Sequence, residues 1–342
     1  MNFSFTRKSR SFIFCNHNFC SRICSFLFTA VFLFNTFAIA TEPPTSSTEK
    51  KLELKQVVTE IPESAKRSLK KAFSKEAIEP WLWILGTTSL LYQYDREILN
   101  ESKRIGVNLD LSAQDKTETK FRFLNKDIFR LPSDKGSTLY FLGDGWTHAS
   151  IGLGFFATGY FKDSVRPFNT GIQIFHSMFV ATIFNQAIKR STGRESPNQA
   201  TSARGQWRFF PKIKDYGANS AKYDAMPSGH IMTATSVFTI VLGNYPEYGY
   251  WIKPVGAIWL TALGFQMMNN GVHWASDYPL GIAMGILYGK TALAMGKPET
   301  KPEPQTTSDG NPAIRSEKPK VQTAFFPSIT EDGDSMLNFA VR

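Results

Sequence analysis

The sequence predicts an all-α protein, and three observations carry that prediction. Six apolar stretches of helical length fall between residues 79 and 296, at about 80–100, 147–162, 168–189, 229–244, 252–269 and 276–295. Helix start and stop residues border them: Ser228 stands before an apolar run, Gly193 follows Lys189 and Arg190, and Pro279 suits a first turn. The strand-like segments, Thr323 to Phe326 and Met336 to Val341 around Glu331 to Asp334, lie in the C-terminal tail and read as a small hairpin.

The elements follow in chain order. Within residues 1–40, Arg7, Lys8, Arg10 and Arg22 precede an apolar run from Ile23 to Phe37, and Ala38 and Ala40 are the small residues a signal peptidase reads. The segment is expected to be a signal peptide cleaved before Thr41, or else a retained N-terminal anchor. It holds all three cysteines, Cys15, Cys20 and Cys24, so disulfides cannot hold the mature chain together. Residues 41–78 comprise a Pro/Ser/Thr linker and a broken amphipathic helix from Lys51 to Lys75, which either rests on a headgroup surface or packs on the domain edge. A helical domain occupies 79–296. Its first helix is followed by a polar stretch from Glu101 to Ser137, too charged to cross a membrane and long enough for a lid or substrate-side excursion. Residues 191–226 join the third and fourth helices and carry Trp207, Phe209, Phe210 and Tyr216, which either close over an apolar substrate or pack the loop down. Residues 297–342 read as a disordered tail ending in the hairpin.

The 342 residues carry a formal charge of +10; without the leader, 35 cations face 29 anions. A mild positive excess suits anionic substrates or membrane surfaces. Nucleic acid is not an expected partner, because the cations of residues 50–75 are interleaved with Glu53, Glu60 and Glu63. No Cys/His cluster has zinc spacing and no phosphate-binding Gly-rich Lys loop is present, so neither metal nor cofactor is expected. Most apolar runs extend about 13–16 residues, short of a membrane span, although Trp251 to Met268 and Tyr278 to Met295 are nearly continuous. We expect a membrane-associated domain with its site on the periplasmic side, with a soluble periplasmic enzyme as the competing reading.

The chemistry concentrates in three places. Pro227-Ser228-Gly229-His230 opens a helix: Ser228 caps it, Gly229 lets a ligand approach the backbone, the helix dipole favours an anion, and His230 has a proton to give. His273 and Asp277 stand four residues apart, so the carboxylate can hold the imidazole, leaving its other nitrogen free to attack an electrophile. Upstream, Lys189 begins a cationic helix end running to Ser196-Pro197.

In order and spacing these elements resemble the type 2 phosphatidic acid phosphatase and haloperoxidase superfamily. Its signature is Lys, six residues, Arg-Pro; then Pro-Ser-Gly-His; then Ser-Arg, five residues, His, three residues, Asp. The resemblance implies a six-helix bundle and a phosphatase that works through a phosphohistidine. His273 would be the nucleophile, Asp277 its orienting group and His230 the acid and base, with Lys189, Ser228 and Gly229 binding phosphate oxygens. Two motif arginines are missing. Ser196 stands in place of the first, and Gln266-Met267 in place of the Ser-Arg pair. Two such losses amount to about four to six decades in rate if nothing compensates. Arg190, Arg194 and Arg204 are candidate substitutes, with Arg194 preferred.

The expected function is hydrolysis, by an exported enzyme, of a phosphomonoester or pyrophosphate on a lipid or envelope molecule. Two alternatives stay open: a non-catalytic relative that binds an anionic headgroup, and a vanadate-dependent haloperoxidase. Other residues receive plainer readings. His148 is expected to cap or pack a helix, His176 to take a hydrogen bond near the core, and Met267, Met268, Asn269 and Asn270 to pack or turn the chain.

Overall fold

The computed structural model describes residues 50–123, 126–295, 323–329 and 335–341. It is mostly helical, as the apolar periodicity requires. The chain forms two units, 1–297 and 298–342. The predicted leader and the stretch 297–322 lie outside the described residues.

In the larger unit, short helices α1 (Gln56–Thr59) and α2 (Ile61–Ala72) lead into α3 (Ile78–Asn108). A hairpin of β1 (Thr117–Phe123) and β2 (Lys126–Pro132) follows, then α4 (Lys135–Phe141), α5 (Gly145–Phe161) and α6 (Val165–Thr192). After a long loop holding α7 (Ile213–Ala218) come α8 (Gly229–Asn244), α9 (Gly249–Asn269) and α10 (Tyr278–Leu293). Each of the six apolar stretches lies on one of the longer helices. In the smaller unit β3 (Thr323–Ile329) pairs antiparallel with β4 (Ser335–Val341), where the tail hairpin is expected.

The polar stretch from Glu101 to Ser137 differs from a plain lid. α3 runs on to Asn108, and Thr117 to Pro132 pair as an antiparallel hairpin. Alternating polar and aromatic residues in β1 read as merely polar in the sequence, although alternation is the mark of a two-faced strand. This hairpin is an exception to the all-α expectation within the domain. The amphipathic segment packs on the domain edge: Leu52 and Val57 join the core with Phe168 and Ile172. His176 pins the same segment, one ring nitrogen against the Val57 carbonyl at 2.9 Å and the other against Ser64 Oγ at 2.8 Å.

α8 and α10 form the central pair, because α10 presents a stripe of Gly281, Gly285 and Gly289 to α8. A Cβ on Gly285 would stand 2.5 Å from the Met232 carbonyl oxygen, and one on Gly281 would stand 2.8 Å from that of Ser228. The helices therefore touch backbone to backbone, which sets the distance between the Pro-Ser-Gly-His turn and the segment before α10. Gly285→Ala is expected to lower stability by about 2 kcal/mol, since a carbonyl cannot step aside as a side chain can. Urea unfolding of the variant measures this.

Among the described residues no helix is long and apolar enough to cross a membrane.

Candidate active site

Four helices and two turns bring the site together. α6 ends in a left-handed glycine, Gly193 (φ 56°), whose N–H bonds the Lys189 carbonyl and stops the helix there. This leaves Lys189 in the last turn, facing inward and only 8% exposed. Its ammonium lies 3.9 Å from Asp224. Burial holds that ammonium below the ordinary lysine range, with Asp224 and Asp277 pulling the other way.

Ser228 is the N-cap of α8, its Oγ accepting from the Ile231 N–H at 3.5 Å. The first backbone bond of the helix is Met232 N–H to the Ser228 carbonyl, so the N–H groups of Gly229 and His230 stand ahead of the ladder. Gly229 and His230 keep partial exposure, whereas Ser228 is fully buried. The His230 ring lies 5.1 Å from that of Tyr140 on α4 and 6.1 Å from that of His273, centroid to centroid. Burial, then His273, Lys189 and His148, push its pKa down to about 3. The imidazole is therefore neutral at pH 7.

His273 is 2% exposed, and its Nδ1 lies 2.6 Å from the Ala225 carbonyl oxygen. A carbonyl can only accept, so Nδ1 carries the proton and Nε2 keeps the free lone pair. The nearest Asp277 oxygen is 3.6 Å from Nδ1. A hydrogen bond from the His273 ring to Asp277 was the expected tautomer lock; the structure gives that role to the Ala225 carbonyl and leaves Asp277 as a charge beside the ring. The Asp277 oxygens are engaged elsewhere, one by the Trp274 N–H at 2.7 Å and the other by Arg194 at 2.5 Å.

Arg194 is the principal correction to the expected site. Expected to clamp phosphate, it is fully buried and bound on both sides by carboxylates. Nη1 donates to Asp277 and, at 2.7 Å, to Ser276 Oγ; Nη2 donates to Asp95 at 2.7 Å and to the Arg204 carbonyl at 3.1 Å. Rings of Tyr92, Trp207 and Trp274 lie 5.1–5.4 Å from its guanidinium carbon. Burial costs the cation, but two adjacent carboxylates outweigh it and hold its pKa above the usual value. Arg190 turns back to Gln186 and stacks on Tyr216, and Arg204 reaches the Gln93 carbonyl. Gln266 donates to the Ser112 carbonyl at 2.8 Å, and Met267 is in the core. None of these replaces a motif arginine.

Asp95 was missed by sequence reasoning. It accepts from Arg194, from the Ser276 N–H at 3.0 Å and from Ser276 Oγ at 2.5 Å, so it ties α3 to the turn that carries Asp277. Burial raises its pKa, Asp277 adds to that, and Arg194 opposes it. The signal was available: Asp95 is an acid at the end of the apolar run Leu90, Leu91, Tyr92. The Ala225 carbonyl left no signal, since any residue has one.

The loop after α6 is pinned rather than draped. Glu195, fully buried, accepts from the N–H groups of Thr201 and Gln206, both at 2.9 Å, and from Arg208 at 2.6 Å. Trp207 is held beside Arg194, and Tyr216 packs down, while Phe209 and Phe210 remain exposed.

His148 on α5 is 1% exposed, and its ring has at most a weak hydrogen bond, to the Asp144 backbone, among the described residues. Burial pushes its pKa down to about 4. The folded protein therefore keeps this ring neutral while the unfolded chain takes up a proton near pH 6.5. Stability is expected to fall as pH drops from about 7 towards 4, by about 3 kcal/mol from this residue once it is complete. Urea unfolding at pH 7 and pH 5 should differ less for His148→Leu than for the parent chain.

Set beside known proteins, residues 170–301 match the family model of the PAP2 superfamily. The matched segment carries Lys189, the Pro227-Ser228-Gly229-His230 turn, His273 and Asp277. A lipid A 1-phosphatase from Porphyromonas gingivalis is 32% identical over 81 residues, 24% of this chain and 18% of the relative. The chain thus matches under a fifth of that relative's length. No solved structure matches.

Proposed function

We propose that this protein is an exported phosphatase that releases phosphate from a phosphomonoester or pyrophosphate on a lipid or other envelope molecule. The observation that carries the reading is the Ala225 carbonyl on His273 Nδ1, which leaves Nε2 as a free nucleophile close to His230 and to the uncapped N–H groups of α8. The match of residues 170–301 to the PAP2 superfamily model, and the likeness of 81 residues to a lipid A 1-phosphatase, support the same reading. In the six-helix core of this family type, His273 Nε2 attacks phosphorus and the bond to the leaving oxygen breaks. That oxygen departs with a proton from His230. Water then loses a proton to His230 and attacks the phosphohistidine, freeing inorganic phosphate and restoring His273. Asp277 steadies the ring while it is cationic.

Because burial keeps His230 neutral, its proton arrives with the substrate or after dianion binding raises its pKa. Turnover at low substrate should therefore decline as pH rises past the second phosphate pKa, about 6 for a phosphomonoester. A pH–rate profile with an aryl phosphate measures this; a rate constant that climbs from pH 6 to 8 would contradict it. Membrane association belongs to the same proposal, supported by exposed Leu82 and Leu85 on α3 and exposed Tyr250, Trp251 and Ile258 on α9. Co-sedimentation with lipid vesicles tests it.

The deciding experiment is phosphate release by the purified chain from lipid phosphates, isoprenyl pyrophosphates and an aryl phosphate. A second reading, headgroup binding without turnover, is favoured by one observation: Arg194, the preferred substitute for a motif arginine, is committed to two carboxylates. A folded protein that binds phosphate and releases none would establish it.

A further inference from the structure

Lys189 is a cation close enough to act on His230, and Asp224 partly offsets it. A phosphoryl group there needs more donors than one ammonium and two backbone N–H groups. Asn185 sits one helical turn before Lys189 on α6, so both side chains leave the helix on the same face. It is only 5% exposed. Its Oδ1 is buried without a hydrogen-bond partner among the described residues. Its Nδ2 stands 2.8 Å from where a Cβ on Gly229 would be, directly over the first residue of α8. A buried acceptor left unpaired costs free energy unless something else requires the side chain there, and Nδ2, beside Gly229, is the atom of this amide that can donate. A Cβ at 229 would fit only if the Asn185 amide moved off the start of α8.

We propose that the Asn185 side-chain amide is a phosphate-binding group of this site, donating to the same oxyanion that the Gly229 N–H and Lys189 hold. It supplies a neutral donor where the superfamily signature would have used a guanidinium, from a different helix position. The proposal rests on the phosphatase reading only for its kinetic consequence, since the binding consequence holds without turnover.

The test pairs two measurements on Asn185→Ala and Asn185→Asp: calorimetric affinity for inorganic phosphate, and kcat and KM on an aryl phosphate, with thermal unfolding alongside. Alanine is expected to weaken phosphate binding by about tenfold or more and to lower kcat by about 10²-fold, at a melting temperature close to the parent's. Aspartate is expected to lose more, because it removes the donor and adds a repelling charge. If the parent turns over and both variants match it, Asn185 is not a ligand and the phosphatase reading stands. If the parent binds phosphate without turnover and the variants bind more weakly, the phosphatase reading falls and the Asn185 assignment stands. Full affinity in the aspartate variant would make the side chain an acceptor for a backbone N–H and overturn the proposal. So would a large fall in melting temperature with affinity unchanged.

Discussion

Replacing His273 with alanine is expected to abolish phosphate release from every substrate that the parent chain hydrolyses. The loss should be on the order of 10⁴-fold or more, as for other covalent catalysts that lose their nucleophile. The geometry makes the expectation specific. Nδ1 is occupied by the Ala225 carbonyl, so attack can come only from Nε2, and Asp277 lies near enough to stabilise the ring once it is charged. The thermal stability of the variant should change much less than its rate, which separates lost chemistry from lost fold. Undiminished turnover in His273→Ala would sink the phosphohistidine mechanism. His273→Gln adds a finer check, because it preserves a donor for Ala225 without a nucleophilic nitrogen and should be equally inactive.

Arg194→Met is expected to be the most destabilising single change in the domain, by about 3–5 kcal/mol. Removing this guanidinium leaves Asp95 and Asp277 facing each other in the interior without a counter-charge. Urea unfolding at pH 7 should show a markedly lower midpoint with little change in slope. Arg194→Lys should recover only part of the loss, because one ammonium cannot reproduce the two-sided fork that touches Asp95, Ser276 and Asp277. Asp95→Asn gives the complementary measurement: it removes one of two anions around one cation, so its cost should be well below that of Arg194→Met. A midpoint for Arg194→Met within experimental error of the parent would contradict the network as described.

These expectations rest on structure that was partly legible in the chain. Helix existence was readable because the apolar runs are long and their ends are marked by residues with a local reason to be there, such as Ser228 capping α8 and Gly193 stopping α6. The hairpin from Thr117 to Pro132 was not read, because short alternating strands rich in charge look like loop. The two histidines could be paired from motif spacing, and the structure brings their rings within 6.1 Å. The role given to Arg194 could not be read. A cation near a predicted phosphate site suggests an anion ligand, and nothing local reveals that Asp95, 99 residues earlier, folds against it.

The sequence by itself determined which segments are helices and which side chains are candidates for chemistry, since propensity, capping and i, i+4 spacing act within a few residues. Only the tertiary structure decided which partner each polar group takes. The Ala225 carbonyl sets the His273 tautomer, Asp95 and Asp277 claim Arg194, and Asn185 is left over Gly229 with an unpaired oxygen. Burial is what forces these choices, because a polar group removed from water must find whichever complementary group the packing of distant helices brings within reach.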